Sequence, residues 1–349
     1  MSTAYRGLAN PIEDTDNLDA LLDQSKLNWE VCEYPVEYSG RNGKKTMPSR
    51  KVLVRCDTDD EIEVVSASFK VHQNREIVGG LASIAKASGV KLDAGGSLDG
   101  GAKIFLTGSV DKQFDASGEK KLGDIVQLRY IVSGGHKPGT PTTIKAEGQR
   151  LVCFNGATVG AGAFAVRFTH QSKLQAADLR KLQNFVEATT EGFTQYEAKA
   201  VKLMGTTISR EVNEAFVLEL LHDNLLENIV NEATHRNGMT GKDILAAIID
   251  RAENNLLRPM QLAANSGQST RTAQQVLHVM NSQPGADMAR GTMWNAYNAV
   301  TYHVDHVRGA TASTAVDSAI FGEGDRLKRS ALDLAVEYTE RLQAIRGRA

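Results

Sequence analysis

The chain is short of almost every residue that announces a specialised class. Three cysteines (Cys32, Cys56, Cys153) in 349 residues are too few and too scattered for a disulfide framework or a CxxC metal site. Reduced, buried thiols in a cytosolic protein are the expectation. There is no tandem repeat and no low-complexity tract, which excludes solenoids and linker-like polymers. No apolar run approaches the ~20 residues that span a bilayer, so no membrane partner is expected. Met1-Ser-Thr-Ala-Tyr-Arg-Gly7 lacks the apolar stretch of a secretion signal, which leads to the expectation of a cytoplasmic protein. A dominant sign of charge is missing too: 40 Lys and Arg face 42 Asp and Glu, for a net charge of -2. That excludes a histone-like or tail-driven nucleic-acid binder. A local basic groove remains open, because attraction is screened beyond about 8 Å and local charge then decides.

What is present is an ordinary globular composition, 41% hydrophobic and 23% charged, in a chain long enough for two domains or one large one. Asp16-Asn17 caps a helical pattern of Leu18, Leu21, Leu22 and Leu27. From Trp29 to Val71 the period changes to two and predicts an antiparallel meander with Gly40-Arg-Asn-Gly-Lys-Lys45 as a hairpin tip. Glu76 to Ser88 reads as a helix stopped by Gly89. Ala94 to Gly101 reads as a turn, and Lys103–Val110, Ile125–Val132 and Thr142–Cys153 as strands. A short strand through Val166-Arg-Phe168 follows the glycine-rich Gly156–Gly162. After Ser172 the pattern is helical to the end, with helices at about 271–281, 291–308 and 325–345. The expected fold class is α+β: an N-terminal antiparallel β-meander with interspersed helices, then an all-helical C-terminal half. The expected domains are 1–170, strand-rich with a polar, basic face, and 171–349, helical.

Ser133 to His170 is the most informative stretch. Its strands carry hydrogen-bonding or charged groups where core strands would carry valine, and such groups are expensive to bury unpaired. No catalytic signature accompanies them. The glycine-rich segments lack the Gly-Lys-Ser/Thr of a phosphate loop and the strand–turn–helix setting of a dinucleotide fold. His303, Asp305 and His306 could be read as metal ligands, but a packed helix whose polar stripe (Trp294, Tyr297, Asn298, Thr301, Tyr302, Asp305) bonds to the sheet half or to a neighbouring subunit is the simpler reading. Cys153 with His136 or His170 could be a nucleophile and base. A buried, inert thiol is the commoner case.

Cations make the better case. Arg41 to Arg55 holds six without an acid, and Arg55, Lys103, Arg129, Lys145, Arg150 and Arg167 fall in expected strands. Adjacent strands can align such residues on one face and track a phosphate backbone. Singly, each is better explained as a salt bridge.

Arg55-Cys-Asp57-Thr58, Val71-His-Gln73-Asn74, Gly100-Gly101 before Lys103, Arg150-Leu-Val-Cys153-Phe-Asn155, Arg167-Phe-Thr-His170, Gly291-Thr-Met-Trp294 through His306 and Gly324-Asp-Arg-Leu-Lys328 give the chain a resemblance to the phage/plasmid-like proteins of unknown function found on mobile elements. It spans about Trp29 to the C-terminus. Two positions depart from that pattern: Lys137-Pro138-Gly139 replaces an acid and glycine, and Gly156 replaces a threonine. The element order is also similar, at fold level only, to phage single-strand annealing proteins.

The resemblance implies a setting in mobile-element replication and recombination. With the cations and the fold-level similarity, it leads to the expectation of a non-catalytic single-stranded nucleic-acid-binding protein, an annealing factor of a phage or mobile element in a bacterial host cytoplasm, forming a homo-oligomer such as a ring, with DNA as the partner and no cofactor or metal. The expected nucleic-acid residues are Lys44, Lys45, Arg50, Lys51, Arg55, Asn74, Lys103, Arg129, His136, Lys145, Arg150, Asn155, Arg167 and His170. The alternative is a structural or host-takeover interaction protein in which the polar stretch is an internal hydrogen-bond network.

Overall fold

The computed structural model describes residues 4–13, 17–87, 89–138, 140, 143–158, 176–222, 224–235, 238–239, 241–252 and 258–347. Asn17 opens the first helix: its Oδ1 accepts from the amides of Asp19 and Ala20 at 2.9 and 3.4 Å. That helix, α1 (Leu18–Gln24), buries Leu21 and Leu22. Ahead of it lie a single 3₁₀ turn, Ala4–Gly7, and the two-residue strand β1 (Asn10–Pro11).

The meander is a three-stranded antiparallel sheet of β2 (Val31–Gly40), β3 (Gly43–Arg55) and β4 (Glu61–Ser66). Arg41 and Asn42 form the tip between β2 and β3, where Gly40 pairs Gly43. At its base Cys32 and Cys56 form a disulfide with Cα atoms 5.3 Å apart, which corrects the expectation of three reduced thiols. The pair was hidden because Cys32 is the second residue of β2 and Cys56 follows the end of β3, positions that only strand register brings together.

Helix α2 (Asn74–Ala87) begins two residues earlier than its apolar pattern suggests. The second sheet has six antiparallel strands in the order β1-β5-β6-β7-β8-β9. They are β5 (Lys91–Leu98), β6 (Lys103–Asp115), β7 (Ile125–Gly135), β8 (Thr143–Arg150) and β9 (Asn155–Thr158). The expected turn at Ala94–Leu98 is therefore strand. Its glycines are there for close approach: a Cβ at Gly96 would sit 2.3 Å from the Leu8 carbonyl oxygen, and one at Gly95 2.6 Å from Leu106. The expected strand through Val166-Arg-Phe168 lies outside the described residues.

Side chains alternate faces along a strand, and register divides this sheet cleanly. One face carries Ile104, Leu106, Val126, Leu128, Tyr130, Val132, Ile144 and Ala146, all buried in the main core. The opposite face carries Lys103, Phe105, Thr107, Arg129, Ile131, Lys145, Glu147 and Gln149.

The rest is helical: α3 (Ala176–Met204), α4 (Arg210–Leu221), α5 (Leu225–Thr234), α6 (Gly241–Ala252), α7 (Pro259–Asn265), α8 (Arg271–Ser282), α9 (Met293–Tyr302), α10 (Ala312–Phe321) and α11 (Glu323–Arg346). α9 runs into a π-helical turn, His303–Val307. α10 has a capping box between Thr311 and Thr314, a signal present in the sequence but short on apolar periodicity. The halves share one core. Phe114 of β6 meets Phe193 of α3 at 5.1 Å between ring centres, and Tyr196 of α3 meets Trp294 of α9 at 6.2 Å. Burying each such ring is worth about 1.5–3 kcal/mol over leaving it exposed.

Candidate functional site

Lys103, Arg129 and Lys145 share one face of β6, β7 and β8, as strand alternation requires. That face is covered. Lys103 pairs with Asp317 of α10, and Lys145 pairs with Asp325 of α11 while donating to the Ile320 carbonyl at 2.8 Å. Arg129 Nη2 donates to Asp93 Oδ1 at 2.6 Å and to Thr107 Oγ1 at 3.3 Å. Arg150 faces the other way and is 2% exposed. Its Nε and Nη2 hold Asp124 at 2.5 and 2.9 Å, Nη2 also reaches the Gly285 carbonyl at 3.0 Å, and Asp124 Oδ2 accepts from Trp294 Nε1 at 2.9 Å. These four cations are thus not an open phosphate track. The physical reason is that α10 and α11 supply Asp317 and Asp325 over Lys103 and Lys145, while the strand half itself supplies Asp93 to Arg129 and Asp124 to Arg150.

The polar candidates are internal as well. Asn74 Nδ2 donates to the carbonyls of Leu27 and Trp29, both at 3.1 Å, and Asn74 Oδ1 lies 2.8 Å from His136 Nε2. This buried set fastens the start of α2 to the chain leading into β2. Asn155 Nδ2 donates to the Asn298 carbonyl at 3.3 Å and to Thr301 Oγ1 at 3.0 Å. Lys51 is held by Glu33 at 2.6 Å. Arg55 is held by Asp57 through two nitrogens and lies over the Trp29 ring at 4.4 Å. Arg167 and His170 lie outside the described residues.

Cys153 and His136 do not form a nucleophile pair. Cys153 follows Arg150, which pairs Val126 near the start of β7, whereas His136 follows the end of β7. At about 3.3 Å per residue they are roughly 30 Å apart. Cys153 is in a turn, not a strand, and burial pushes its thiol up, away from the reactive thiolate.

Lys44, Lys45 and Arg50 are the candidates left at the surface, joined by Arg41 at the tip. Lys44 lies 4.0 Å from Glu37 and is 82% exposed. Arg41, Lys45 and Arg50 have no carboxylate partner among the described residues. Every residue from Arg41 to Arg50 is exposed. Beside these cations stand Tyr34 and Tyr38, 47% and 48% exposed, with Tyr38 paired across the ladder to Lys45.

A second cluster, missed from sequence, fills the covered face of the six-stranded sheet. Glu147, at its centre, accepts from the Tyr5 hydroxyl at 3.3 Å. Lys328 of α11 donates to Asp305 Oδ1 at 2.9 Å, and the Gly156 amide donates to Asp305 Oδ2 at 3.0 Å. His306 Nε2 lies 3.0 Å from the Cys153 carbonyl. Burial raises the Glu147 carboxyl above its ordinary range, with Lys328 and Lys145 pulling the other way. Burial lowers Lys145, opposed by Asp325. Lys328 is lowered by burial too, but Asp305 and Glu147 overcome that and the net shift is up. Burial also pushes the Tyr5 hydroxyl up, with Glu147 adding to it. A signal for this cluster was available. Lys145-Ala-Glu147-Gly-Gln149 is polar at every second position on a central strand, so its polar face needs either water or partners. Among the described residues, no group of three or more His, Cys, Asp and Glu comes together as a metal site.

Residues 61–332 match a family described as a domain of unknown function, DUF932. The chain belongs to that family. No curated protein and no solved structure matches it. The DUF932 segment holds Arg129, Lys145, Glu147, Asp305, Asp325 and Lys328, whereas Tyr5, Arg6 and the β2–β3 hairpin precede it. No helix of this DUF932 protein is long and apolar enough to cross a membrane among the described residues.

Proposed function

We propose that this protein binds single-stranded nucleic acid, most simply DNA, through the β2–β3 hairpin, as a non-catalytic annealing factor of a phage or mobile element. One observation carries the reading: Arg41, Lys45 and Arg50 stand exposed, with no carboxylate partner among the described residues, on a hairpin that also presents Tyr34 and Tyr38. Cations neutralise phosphates and aromatic faces stack bases without regard to sequence, which is the combination single strands require. The interface is smaller than the sequence alone suggests. It draws on the hairpin and not on the sheet cations, which are already paired. The resemblance to phage/plasmid-like proteins supplies the mobile-element setting, and the helical half supplies surface for subunit contacts in a homo-oligomer.

The test is fluorescence anisotropy with a labelled oligo(dT) across a salt series. Three released counterions give a slope of log affinity on log salt of about -2 per bound protomer. The triple variant Arg41→Glu, Lys45→Glu, Arg50→Glu abolishes binding at low salt without moving the melting temperature. A flat salt dependence, or a triple variant that binds like wild type, rules the reading out.

A second reading, an interaction protein with no nucleic-acid role, is favoured by the internal bonding of Asn74, His136, Arg150 and Asn155. It corresponds to the flat outcome of the same series.

A further inference from the structure

The buried charge cluster has no part in hairpin binding, and it is costly to keep. Arg129, Lys145, Lys328, Glu147, Asp305 and Asp325 meet between the sheet and the helices, with the partly exposed Asp93 holding Arg129 at the margin. Well-packed apolar residues there would commonly be as stable or more so. Buried ionisable groups gathered beside a cleft are candidates for a functional site as well as for a structural ion-pair network. A cleft is present. Glu147, Gln149, Gly156 and His306 line it with Val316 and Ile320, and the space left is about 30 Å³, room for a water or two.

What fills the rest is Tyr5. Its ring packs on Phe105 at 5.6 Å between ring centres, against the small apolar cluster that includes Val316 and Ile320. Its hydroxyl is the one hydrogen-bond partner of the Glu147 carboxylate among the described residues. The segment carrying it is short and is fastened largely by side chains, among them Asn10, whose Nδ2 donates to the carbonyls of Ser25 and Gly95 at 3.2 and 3.3 Å. Tyr5 and Arg6 both take the left-handed conformation (φ 53° and 51°), which residues with a side chain adopt only under constraint. The Arg6 guanidinium donates to two carbonyls, of Asp305 at 2.9 Å and of Arg308 at 2.6 Å, and β1 adds only two residues of sheet. Gly156 keeps the carboxylate accessible from the side, since a Cβ there would lie 2.5 Å from Glu147 Oε2.

We propose that the cleft over Glu147 is a binding site for a small aromatic compound bearing a hydroxyl group, and that Tyr5 occupies it in cis. The chemistry selects this class. A planar ring fits between Phe105 and the Val316–Ile320 side of α10, and a hydroxyl replaces the donor that Tyr5 alone gives Glu147 among the described residues. An anion would meet the Glu147 and Asp305 carboxylates while the neighbouring cations are already paired. The ionisable cluster falls inside the family match, residues 61–332, and the Tyr5 segment outside it.

The test uses the full-length protein and two probes of one shape, p-cresol and toluene. In the Tyr5→Gly variant p-cresol binds at least about tenfold more tightly than toluene, and at least about tenfold more tightly than it binds wild type, by calorimetry on protein shown to melt cooperatively. Equal affinity for the two probes overturns the role of Glu147, and no binding to the folded variant overturns the site. If Tyr5→Gly does not fold, the wild-type chain decides: p-cresol speeds tryptic cleavage after Arg6 several-fold where toluene does not. An unchanged cleavage rate overturns the proposal.

Discussion

The Arg150 guanidinium grips the Asp124 carboxylate with two nitrogens at 2.5 and 2.9 Å, and the same carboxylate takes the indole N–H of Trp294. One buried acid therefore joins the sheet to α9. Removing one partner leaves the other charged and unpaired, at about 3–5 kcal/mol. Arg150→Met and Asp124→Leu each lose stability on that scale in urea titrations. Asp124→Leu loses more, because Trp294 also loses its acceptor. The double variant loses clearly less than the two summed. Additive losses would mean the pair is not coupled.

Tyr38→Ala separates stacking from charge. It weakens oligo(dT) binding by about 1–3 kcal/mol while leaving the salt slope as in wild type, because no cation is removed. Anisotropy reads both. A change of slope with unchanged low-salt affinity would assign Tyr38 a different role.

Much of the fold was legible because its elements are strongly periodic. The leucines of α1, the alternation of β2 and β3, and the helical half all follow from spacing, and Asn17 caps where its side chain suggests. The misses share a cause. Gly95 and Gly96 look like turn residues, but what they accommodate is the Leu8 carbonyl and the Leu106 side chain, partners remote in sequence. Arg150, Lys145 and Arg129 look like ligands for phosphate until Asp124 ahead of β7, Asp325 of α11 and Asp93 of β5 deliver their carboxylates. Glu147 and Tyr5 meet across 142 residues, which no local pattern encodes.

Gly96→Ala tests that close approach. Its new methyl meets the Leu8 carbonyl oxygen, so the N-terminal segment must shift. The expected loss is about 1–3 kcal/mol, with faster amide hydrogen exchange confined to the first dozen residues. Uniform acceleration along the chain would instead point to a general loss of stability.

Thiol counting checks the hairpin base. Native protein without reductant shows no rapidly reacting thiol, since Cys153 is buried and Cys32 and Cys56 are joined. Unfolding without reductant releases one thiol, and reduction releases three. Three thiols before reduction would remove the disulfide.

Acidification separates Glu147 from His306. The folded pKa of Glu147 is raised by burial, so the fold holds its proton better than the unfolded chain does. Its contribution grows as pH falls toward the ordinary value of 4.5 and shrinks as pH rises through the folded value. His306 is lowered by burial, against the pull of Asp305. Its contribution is full above the ordinary value of 6.5 and is lost as pH falls through the folded value. Between pH 7 and pH 5, the melting difference between wild type and Glu147→Gln moves in favour of wild type. The difference between wild type and His306→Gln moves against it.

The turn from His303 to Val307 closes with the Arg308 amide on the His303 carbonyl at 2.8 Å, five residues back instead of four. That wider pitch lets Asp305 reach the Gly156 amide and Lys328 while its neighbour His306 reaches the Cys153 carbonyl. Segment length is thus a stricter requirement here than side-chain identity. Shortening it by one residue would rewind the turn and swing everything beyond by about 100°, parting the helices from the strand edge they hold.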